Sequence, residues 1–513
     1  MTPRSSASST ADRPRTAAET IGPDDPRYAD LVRRGFNKRF TSTPDVFRLV
    51  QSTDQIIDAL QAAVRDGKHV VVRSGGHCLE NFVANPDVRV IIDMSLMTGV
   101  SYDAEMNAFV VESGTLLGEV YRRLYLGWGV LLPAGVSPDV GAGGHILGGA
   151  FGFLCREHGL AVDYLYAVEV VVVDDAGQVT RVIATRDASD PNRDLWWAHT
   201  GGGGGNFGIV TRYWLRSPDA TGTDPRTLLP AAPKAVATLR ASWKWGELSE
   251  PAFARMLRNF GDWCERHAAA DSPYANLYVM FSPKRHEIGT VDLIAISTAG
   301  GDAAERQFDD VLTALNAGAG VAHTRKVEHS SWLAFATNPF PELFRVGIDN
   351  ARCKMGDAYL RKGFSDRQIG VVYDYMTRTD HHVLGGSLGM VTYGGRVNTV
   401  PSDATAKAQR GAVITMACAV GWGDPKDEAA STAWVRAFYR DLFAETGGVP
   451  VPNDASDGAM INHPDIDLAN PAWNTSGVPW HTLYYKDNYP RLQRVKARWD
   501  PRNIFHHALS IRA

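Results

Sequence analysis

A short motif with two glycines, a basic residue and a histidine follows a run of valines early in the chain. It reads Arg73-Ser74-Gly75-Gly76-His77. Adjacent glycines let backbone N–H groups approach a phosphate closely, and Arg73 would add fixed positive charge. The motif therefore predicts an anion-binding loop, although a plain glycine turn carrying a surface histidine would have the same sequence.

A second glycine-rich stretch covers residues 135–152, where seven of eighteen residues are glycine. Such a density is incompatible with a regular helix or strand. Apolar residues are interleaved with the glycines, which is not typical of a flexible surface loop. The stretch therefore predicts a loop wrapped around a large flat or anionic ligand.

A third glycine segment, 201–208, contains the pattern G-x-G-x-x-G between Gly203 and Gly208. The dinucleotide-binding version of that pattern needs a strand before it and a helix after it. Here a strand-like run, 208–215, follows the glycines, so the pattern is not read as an NAD fingerprint. No H-E-x-x-H or C-x-x-C motif is present, and no metal site is predicted.

Composition narrows the possible functions. The chain has 513 residues and a net charge of -4, which argues against a nucleic-acid binder and gives no reason to expect an anionic membrane surface as partner. No apolar run reaches the roughly 18 residues needed to span a bilayer. Five cysteines do not make a disulfide scaffold, so we expect a reduced, cytoplasmic location. The N-terminus lacks the apolar segment of a secretory signal, and residues 1–21 are expected to be a disordered leader.

Hydrophobic periodicity places these motifs in a mixed α/β chain. Helices are predicted at 45–66, 117–126, 250–269, 304–317 and 488–499. Strands are predicted at 68–73, 88–94, 108–112, 168–174, 208–215, 275–281, 290–297, 382–393 and 413–420. The segment 216–233 is rich in Pro, Thr and Asp and is typical of a linker. It divides the chain into a first unit, 22–215, and a second unit, 216–448, followed by 449–513.

The three glycine segments, in this order and followed by the closing runs 484–492 and 499–505, resemble the berberine-bridge-enzyme-like oxidases. These are FAD-linked oxidases of the vanillyl-alcohol-oxidase type. The resemblance extends from about residue 40 to the C-terminus. From residue 474 onward the chain is most similar to actinomycete oxidases that tailor the sugars of antibiotics. The resemblance implies an α+β fold with two domains, in which 22–215 and 449–513 bind FAD in the PCMH-type manner. The segment 216–448 would then form a substrate domain whose sheet covers the flavin.

The resemblance also implies how the cofactor is held. His77 would be bonded covalently to the flavin 8α-methyl group, a role that suits a neutral imidazole. Ser74, Gly75 and Gly76 would hold the pyrophosphate through backbone N–H groups. Further residues expected to bind the cofactor are Arg73, Ser137, Val140, Gly141, Gly143, Gly144, His145, Gly148, Gly204, Gly205, Asn206, Tyr485 and Asn488.

One departure from the family concerns a second covalent bond. Bicovalent members link a cysteine to flavin C6, but this chain has Ser137 at that position. A hydroxyl is a far weaker nucleophile than a thiolate near pH 7. We therefore predict a single bond, through His77. Cys155 is the alternative ligand, although a small buried hydrophobic role explains it better.

The other departure concerns the catalytic base. In related sugar oxidases a tyrosine in an Ile-Asn-Tyr-Pro-Asp sequence takes the substrate hydroxyl proton, and this chain has His463 at that position. Histidine has an ordinary pKa near ~6.5 and tyrosine near ~10, so a histidine base needs less activation. His463 is either the base or a residue that only fills the pocket. Tyr393 either assists the base or is a core aromatic.

These residues predict an FAD-dependent oxidase that oxidises an alcohol, with dioxygen as the acceptor. The small Val140 lies at what resembles the family's oxygen gatekeeper and favours oxidase over dehydrogenase. The expected substrate is a bulky natural product, oxidised on its sugar, in antibiotic biosynthesis. No nucleic-acid or membrane partner is expected, and the protein is expected to be a monomer or homodimer. Two alternatives stay open: desaturation or oxidative cyclisation of a natural product, and a non-catalytic metabolite-binding or resistance protein.

Overall fold

The computed structural model describes residues 17–339, 351–380, 383 and 385–513. Most of the predicted leader lies outside the described residues. Its last part was wrongly predicted to be disordered, because Glu19–Ile21 forms an edge strand and the Ile21 side chain is fully buried against a neighbouring strand.

The first unit alternates short strands with helices. Its strands are β1 (Glu19–Ile21), β2 (Val46–Leu49), β3 (Val70–Arg73), β4 (Val90–Asp93), β5 (Val100–Asp103), β6 (Ala108–Glu112), β7 (Leu165–Val173), β8 (Val179–Thr185) and β9 (Ile209–Leu215). Its helices are α1 (Tyr28–Arg33), α2 (Thr53–Arg65), α3 (Leu117–Trp128), α4 (Ala142–Leu147), α5 (Cys155–His158) and α6 (Arg193–Ala198).

The helix predicted at 45–66 begins later than expected. Its N-cap is Ser52, whose hydroxyl accepts a hydrogen bond from the backbone N–H of Gln55. The preceding residues form β2 because Val46 and Phe47 pair in parallel with β4, and Phe47 is fully buried there. Tertiary pairing thus outweighs the helical spacing of this segment.

Two sheets carry the glycine loops of the first unit. The four-stranded sheet has the order β1-β2-β4-β3, with β2, β4 and β3 parallel. Loops that leave the carboxyl ends of parallel strands are common ligand-binding positions, and the 74–77 loop leaves β3 there. The five-stranded antiparallel sheet has the order β5-β6-β9-β7-β8. Helix α2 contacts strands of both sheets and joins them.

The second unit is built on one large sheet. The strands of this unit are β10 (Val236–Lys244), β11 (Leu277–Pro283), β12 (Thr290–Ser297), β13 (Thr324–Ser330), β14 (Arg352–Leu360), β15 (Gly386–Thr392) and β16 (Ile414–Trp422). The segment that follows the unit adds the edge strand β17 (Ser456–Gly458) to the same sheet. The helices of the second unit are α7 (Glu250–Arg266), α8 (Gly301–Asn316), α9 (Trp332–Thr337), α10 (Asp366–Thr377) and α11 (Glu428–Leu442). The sheet order is β13-β10-β12-β11-β15-β16-β14-β17, antiparallel throughout.

The C-terminal segment returns to the first unit. It contains α12 (Trp480–Tyr485) and α13 (Tyr489–Trp499). The Lys496 ammonium on α13 donates to the Asn206 carbonyl over 2.8 Å, and the Ile511 N–H donates to the Asn206 side chain over 2.8 Å. The predicted α+β fold is confirmed. None of the helices in the described residues is both long and apolar enough to cross a membrane.

Candidate active site

The 74–77 loop presents His77 at the carboxyl end of β3. The imidazole stacks on the Phe36 ring, with centroids 4.7 Å apart and planes 13° from parallel. Burial lowers the pKa of His77 to about 4, against an opposing effect of Asp139. His77 is therefore neutral at pH 7, the state in which an imidazole nitrogen can form a covalent bond.

The first two glycine segments touch each other backbone to backbone. A Cβ atom on Gly75 would lie 2.3 Å from the Gly141 nitrogen, and one on Gly141 would lie 2.2 Å from the Gly75 nitrogen. Neither position can accept a side chain without moving the opposite loop. Gly76 has φ +80°, a backbone conformation that glycine adopts freely. The contact explains why both segments require glycine.

The same loop offers free hydrogen-bond donors. Within the part of the chain that the structure describes, the backbone N–H groups of Gly75, Gly76 and His77 donate to no other group. Nothing lies within 4 Å of a Cβ built on Gly144, which faces open space near the contact. Consecutive free N–H groups beside open space form an anion-binding concavity, and this arrangement fits a pyrophosphate.

Arg73 does not lie where a cofactor ligand was expected. Its guanidinium is 5% exposed; its Nε donates to Asp93 over 2.7 Å and its Nη1 donates to the Leu31 carbonyl over 2.6 Å. The Asp93 carboxylate is shared with the Arg34 guanidinium, which also donates to the Ser74 carbonyl over 2.8 Å, so one positive charge of this pair stays unbalanced by Asp93. Ser74 braces the loop instead, because its hydroxyl donates to the Ser113 carbonyl over 2.6 Å.

The third glycine segment is held by residues from the C-terminal part. The Tyr485 hydroxyl donates to the Gly202 carbonyl over 3.0 Å, and the Asn206 amide donates to the same carbonyl over 3.0 Å. The His507 Nε2–H donates to the Gly204 carbonyl over 3.0 Å. Gly205 has φ +71° and its Cβ would lie 3.2 Å from the His507 ring. Tyr485, Asn206 and His507 thus shape this turn through its carbonyl groups.

Asn488 braces another loop. Its amide donates to the carbonyl groups of Ser402 and Thr405 over 2.8 and 3.1 Å. This contact fixes the segment just before Lys407, whose backbone nitrogen would lie 2.5 Å from a Cβ on Gly201. Asn488 therefore holds the 402–405 loop, and this loop places the Lys407 backbone against Gly201 of the third glycine segment.

The second glycine segment contains Ser137, Val140 and His145. His145 Nε2 accepts a hydrogen bond from the Gly135 N–H over 2.8 Å, and burial lowers the pKa of His145 to about 3. His145 is therefore a neutral acceptor that fixes the loop. Ser137 and Val140 are half-buried on the same loop. Gly143, like Gly75, cannot carry a side chain, since its Cβ would lie 2.8 Å from the Ser113 carbonyl oxygen.

His463 meets this loop on a turn after β17. Its neighbour Asn462 donates to the His145 carbonyl over 3.0 Å, and a Cβ on Gly148 would lie 2.3 Å from the Asn462 amide nitrogen. The turn and the second glycine segment are thus in direct contact. The structure brings the predicted base and the predicted cofactor loop together.

Asp357 is the partner of His463 that sequence reasoning missed. His463 Nδ1 lies 3.2 Å from Asp357 Oδ2; the histidine side chain is 41% exposed and the aspartate side chain 2%. The other oxygen, Oδ1, accepts from the Met460 N–H over 2.8 Å. Burial raises the pKa of Asp357, and the contact with His463 counteracts that rise. Because Nδ1 faces Asp357, Nε2 is the ring nitrogen of this half-exposed histidine that is left for a ligand.

Several families and known proteins are similar to this chain. The family model described as an FAD binding domain matches residues 44–182, and the model described as berberine and berberine like matches residues 459–512. The aclacinomycin-N/aclacinomycin-A oxidase of Streptomyces galilaeus is 50% identical over 97% of this chain and 90% of its own length. The hexose oxidase of Chondrus crispus is 32% identical over 96% of this chain and 95% of its own length. A crystal structure of the glycopeptide hexose oxidase DBV29 complexed with teicoplanin matches with a TM-score of 0.93 and 49% identity, over 97% of this chain and 99% of that one.

The chain belongs to the berberine-bridge-enzyme-like FAD-linked oxidases. The resemblance seen in the motifs is thereby confirmed, as are FAD as the cofactor and the oxidoreductase class. The free N–H groups of the 74–77 loop and the glycine contact with Gly141 fit the pyrophosphate of FAD.

Lys407 is a second residue of this FAD-linked oxidase that the sequence did not single out. Its ammonium lies 4.1 Å from the centre of the Tyr359 ring and donates to the Gln409 side chain over 2.8 Å. Burial lowers the pKa of Lys407 to about 7. A Cβ on Gly149 would lie 2.9 Å from its stem, so Lys407 packs against the second glycine segment. Lysine between alanines at 406 and 408 gives no local signal of this position.

Tyr393 lies in the core beside this group. Its side chain is 1% exposed and packs on Tyr359, with ring centroids 5.0 Å apart. Burial raises the pKa of Tyr393 well above its ordinary value. This placement favours the core role over assistance to the base.

Cys155 is also fully buried, and burial raises the pKa of its thiol to about 12, so the thiolate is scarce at pH 7.

The residues beside Asp357 on the next two strands of the sheet are small. Asp357 pairs with Ala417 on β16, which pairs with Gly389 on β15. Nothing lies within 4 Å of a Cβ on Gly389. Ser387 lies on the same strand within a G-x-S-x-G sequence, but a strand interior is not the strand-to-helix turn of a hydrolase. Beside the buried Asp357, the face therefore carries only small residues on the next two strands, over about 10 Å, with open space above Gly389.

Proposed function

We propose that this protein is an FAD-dependent oxidase of antibiotic biosynthesis that oxidises an alcohol on the sugar of a bulky natural product. The substrate carbinol loses two hydrogens to become a carbonyl, and dioxygen gains them to become hydrogen peroxide. The observation that carries the proposal is the His463–Asp357 pair, which lies against the glycine loop of the FAD-binding part.

His463 is the general base of the proposed reaction. Its Nδ1 faces Asp357, so its Nε2 accepts the proton of the substrate hydroxyl. The imidazole becomes positively charged when it takes the proton. The buried Asp357 carboxylate balances that charge and keeps the ring in one orientation. His463 and Asp357 together replace the tyrosine of related sugar oxidases.

FAD, when bound, supplies the hydride acceptor and the site at which dioxygen is reduced to hydrogen peroxide. His77 would hold it covalently, because its imidazole is neutral and lies at the end of the pyrophosphate loop. Ser137 and the protonated Cys155 favour one covalent bond over two. The small, half-buried Val140 on the same loop supports access of dioxygen.

The substrate class follows from the small residues beside Asp357 and from the relatives. The small residues Gly389 and Ala417, with open space above Gly389, leave room for a large ring system next to the reacting sugar. Similar proteins are named for aclacinomycin, for hexoses and for a complex with teicoplanin. The two relatives named for a glycoside are 50% and 49% identical to this chain, against 32% for the hexose oxidase, which supports a glycosylated aromatic or peptide product over a free sugar.

The test is anaerobic mixing of the holoenzyme with three probes: aclacinomycin A, teicoplanin and a free hexose. The proposal expects a glycoside to bleach the flavin absorbance, with kcat/KM higher than for the hexose. Air should then restore the absorbance with one hydrogen peroxide per carbonyl formed. NMR of the product decides the chemistry: a new carbonyl on the sugar supports the proposal, whereas an alkene or a new ring would assign desaturation or cyclisation instead. Bound probe without flavin bleaching would contradict it.

A further inference from the structure

A buried ion cluster lies on the other side of strand β14 from Asp357. Its centre is the Lys354 ammonium, which contacts Glu80 over 2.9 Å, Asp467 over 3.0 Å and Asp465 at a shorter distance. All four side chains are at most 9% exposed. Arg436 completes the cluster, with two hydrogen bonds to Asp467 of 2.7 and 2.9 Å.

The three carboxylates come from segments that are distant in sequence. Glu80 lies three residues after His77, whereas Asp465 lies two residues after His463 and Asp467 follows on the same segment. One ammonium therefore joins the flavin-attachment loop to the turn that carries the base.

Strand β14 contacts the 460–467 segment from both of its faces. Side chains three positions apart on a strand point to opposite faces, so Lys354 and Asp357 hold the 460–467 segment from both sides of β14. On one face Asp357 accepts from the Met460 N–H and contacts His463. On the other face Lys354 contacts Asp465. The turn is thereby fixed at both its ends to one strand.

We infer that Lys354 is a positioning residue which, with Glu80, Asp465 and Asp467, fixes the His463 turn and the His77 loop to strand β14. This inference rests on the proposed function, in which His77 holds the flavin and His463 is the base, so that their relative positions determine the rate. A buried ion pair often adds little net stability compared with apolar residues of the same volume, although removing Lys354 alone leaves the buried Glu80 and Asp465 carboxylates without this cation and destabilises the protein. Misplacement of a reacting group by about 1 Å can lower a rate roughly 10²-fold. The cluster therefore acts on geometry, and most of the rate lost on removing Lys354 should depend on His463, with a smaller part arising from the His77 loop.

The first test needs no substrate. Hydrogen–deuterium exchange of the holoenzyme is measured for peptides covering 77–81 and 459–468 in wild type, Lys354→Met and Arg285→Met. Arg285 is the matched control, because it is a fully buried cation of the same unit, ion-paired to Glu287 away from this turn. We expect exchange in both peptides to rise about tenfold or more in Lys354→Met and not in Arg285→Met. Unchanged exchange in either peptide, or equal loosening in the control, would overturn the inference.

The second test separates positioning from a general structural effect. Flavin reduction is measured in Lys354→Met with and without His463→Ala, using the probe that reduces wild type fastest. We expect a loss of about 10²-fold when His463 is present and a clearly smaller loss, of about tenfold or less, when it is absent, because only the displacement of the His77 loop then remains. Equal losses in both backgrounds would assign Lys354 a purely structural role.

If Lys354→Met does not fold, Asp465→Asn keeps the packing and weakens the same contact, and both measurements are made on it. If no probe reduces wild-type flavin, the proposed function fails while the exchange experiment still decides the inference. If His463→Ala reduces the flavin as fast as wild type, His463 is not the base, and the exchange result again stands by itself.

Discussion

Asp357→Asn is the substitution that isolates the charge behind the proposed base. Asparagine keeps an oxygen to accept from the Met460 N–H, so the turn should hold its shape. What is lost is the carboxylate charge 3.2 Å from His463 Nδ1. The contact is an ion pair without hydrogen-bond geometry, so the strength of a charged hydrogen bond, about 1.5–3 kcal/mol or roughly 10- to 150-fold in rate, is an upper bound. Because the histidine side chain is 41% exposed, solvent screens part of this effect, and we expect the lower end, about 10- to 30-fold.

The assay is the rate of flavin bleaching on anaerobic mixing with the fastest probe of the glycoside panel. Glu169→Gln serves as the matched control, since Glu169 is a buried carboxylate whose side chain accepts from the hydroxyls of Thr53 and Thr211, away from His463. The control should reduce at the wild-type rate. A wild-type rate in Asp357→Asn, or the same loss when His463 is already alanine, would refute the reasoning.

Three further outcomes are expected. Gly75→Ala should yield protein with little bound flavin, because its Cβ would lie 2.3 Å from the Gly141 nitrogen; flavin absorbance per protein measures this, and full occupancy would disprove the loop contact. Acid-precipitated wild type should carry flavin on the His77 peptide alone, and Ser137→Cys should add a second flavin-bearing site in peptide mapping; a dissociable flavin in wild type would contradict the covalent bond. In the native protein burial lowers the pKa of Lys407 to about 7 from an ordinary 10.5, so unfolding takes up a proton between these pH values. The melting temperature of wild type, relative to Lys407→Met, should therefore rise from about pH 7 to about pH 10 and stay level below pH 7; a flat difference throughout would argue against the lowered pKa.

The glycine loops could be predicted from sequence because their constraint is local. A dense run of glycines excludes regular elements and indicates close backbone approach, and the structure places Gly75 and Gly141 in contact. The closing tyrosine and asparagine motifs were recognised by resemblance only. Their actual contacts, such as Tyr485 on the Gly202 carbonyl, depend on a segment almost 300 residues earlier.

The partners of the base could not be predicted because they depend on long-range register. Asp357 faces His463 only once β17 pairs with β14 and places the following turn across the strand. The environment of Arg73 could not be predicted for the same reason, because it also depends on long-range strand pairing. Its position suggested a free charge for phosphate, and only the parallel pairing of β3 with β4 brings Asp93 beside it.

The most direct test of the account is flavin reduction by His463→Ala. The holoenzyme and the variant are mixed anaerobically with the glycoside that bleaches wild type fastest, and the first turnover is followed at the flavin absorbance. If His463 is the general base, the variant should bleach roughly 10²–10⁴-fold more slowly while binding the same glycoside. Equal rates in variant and wild type would remove His463 from the reaction and contradict the mechanism proposed for this site.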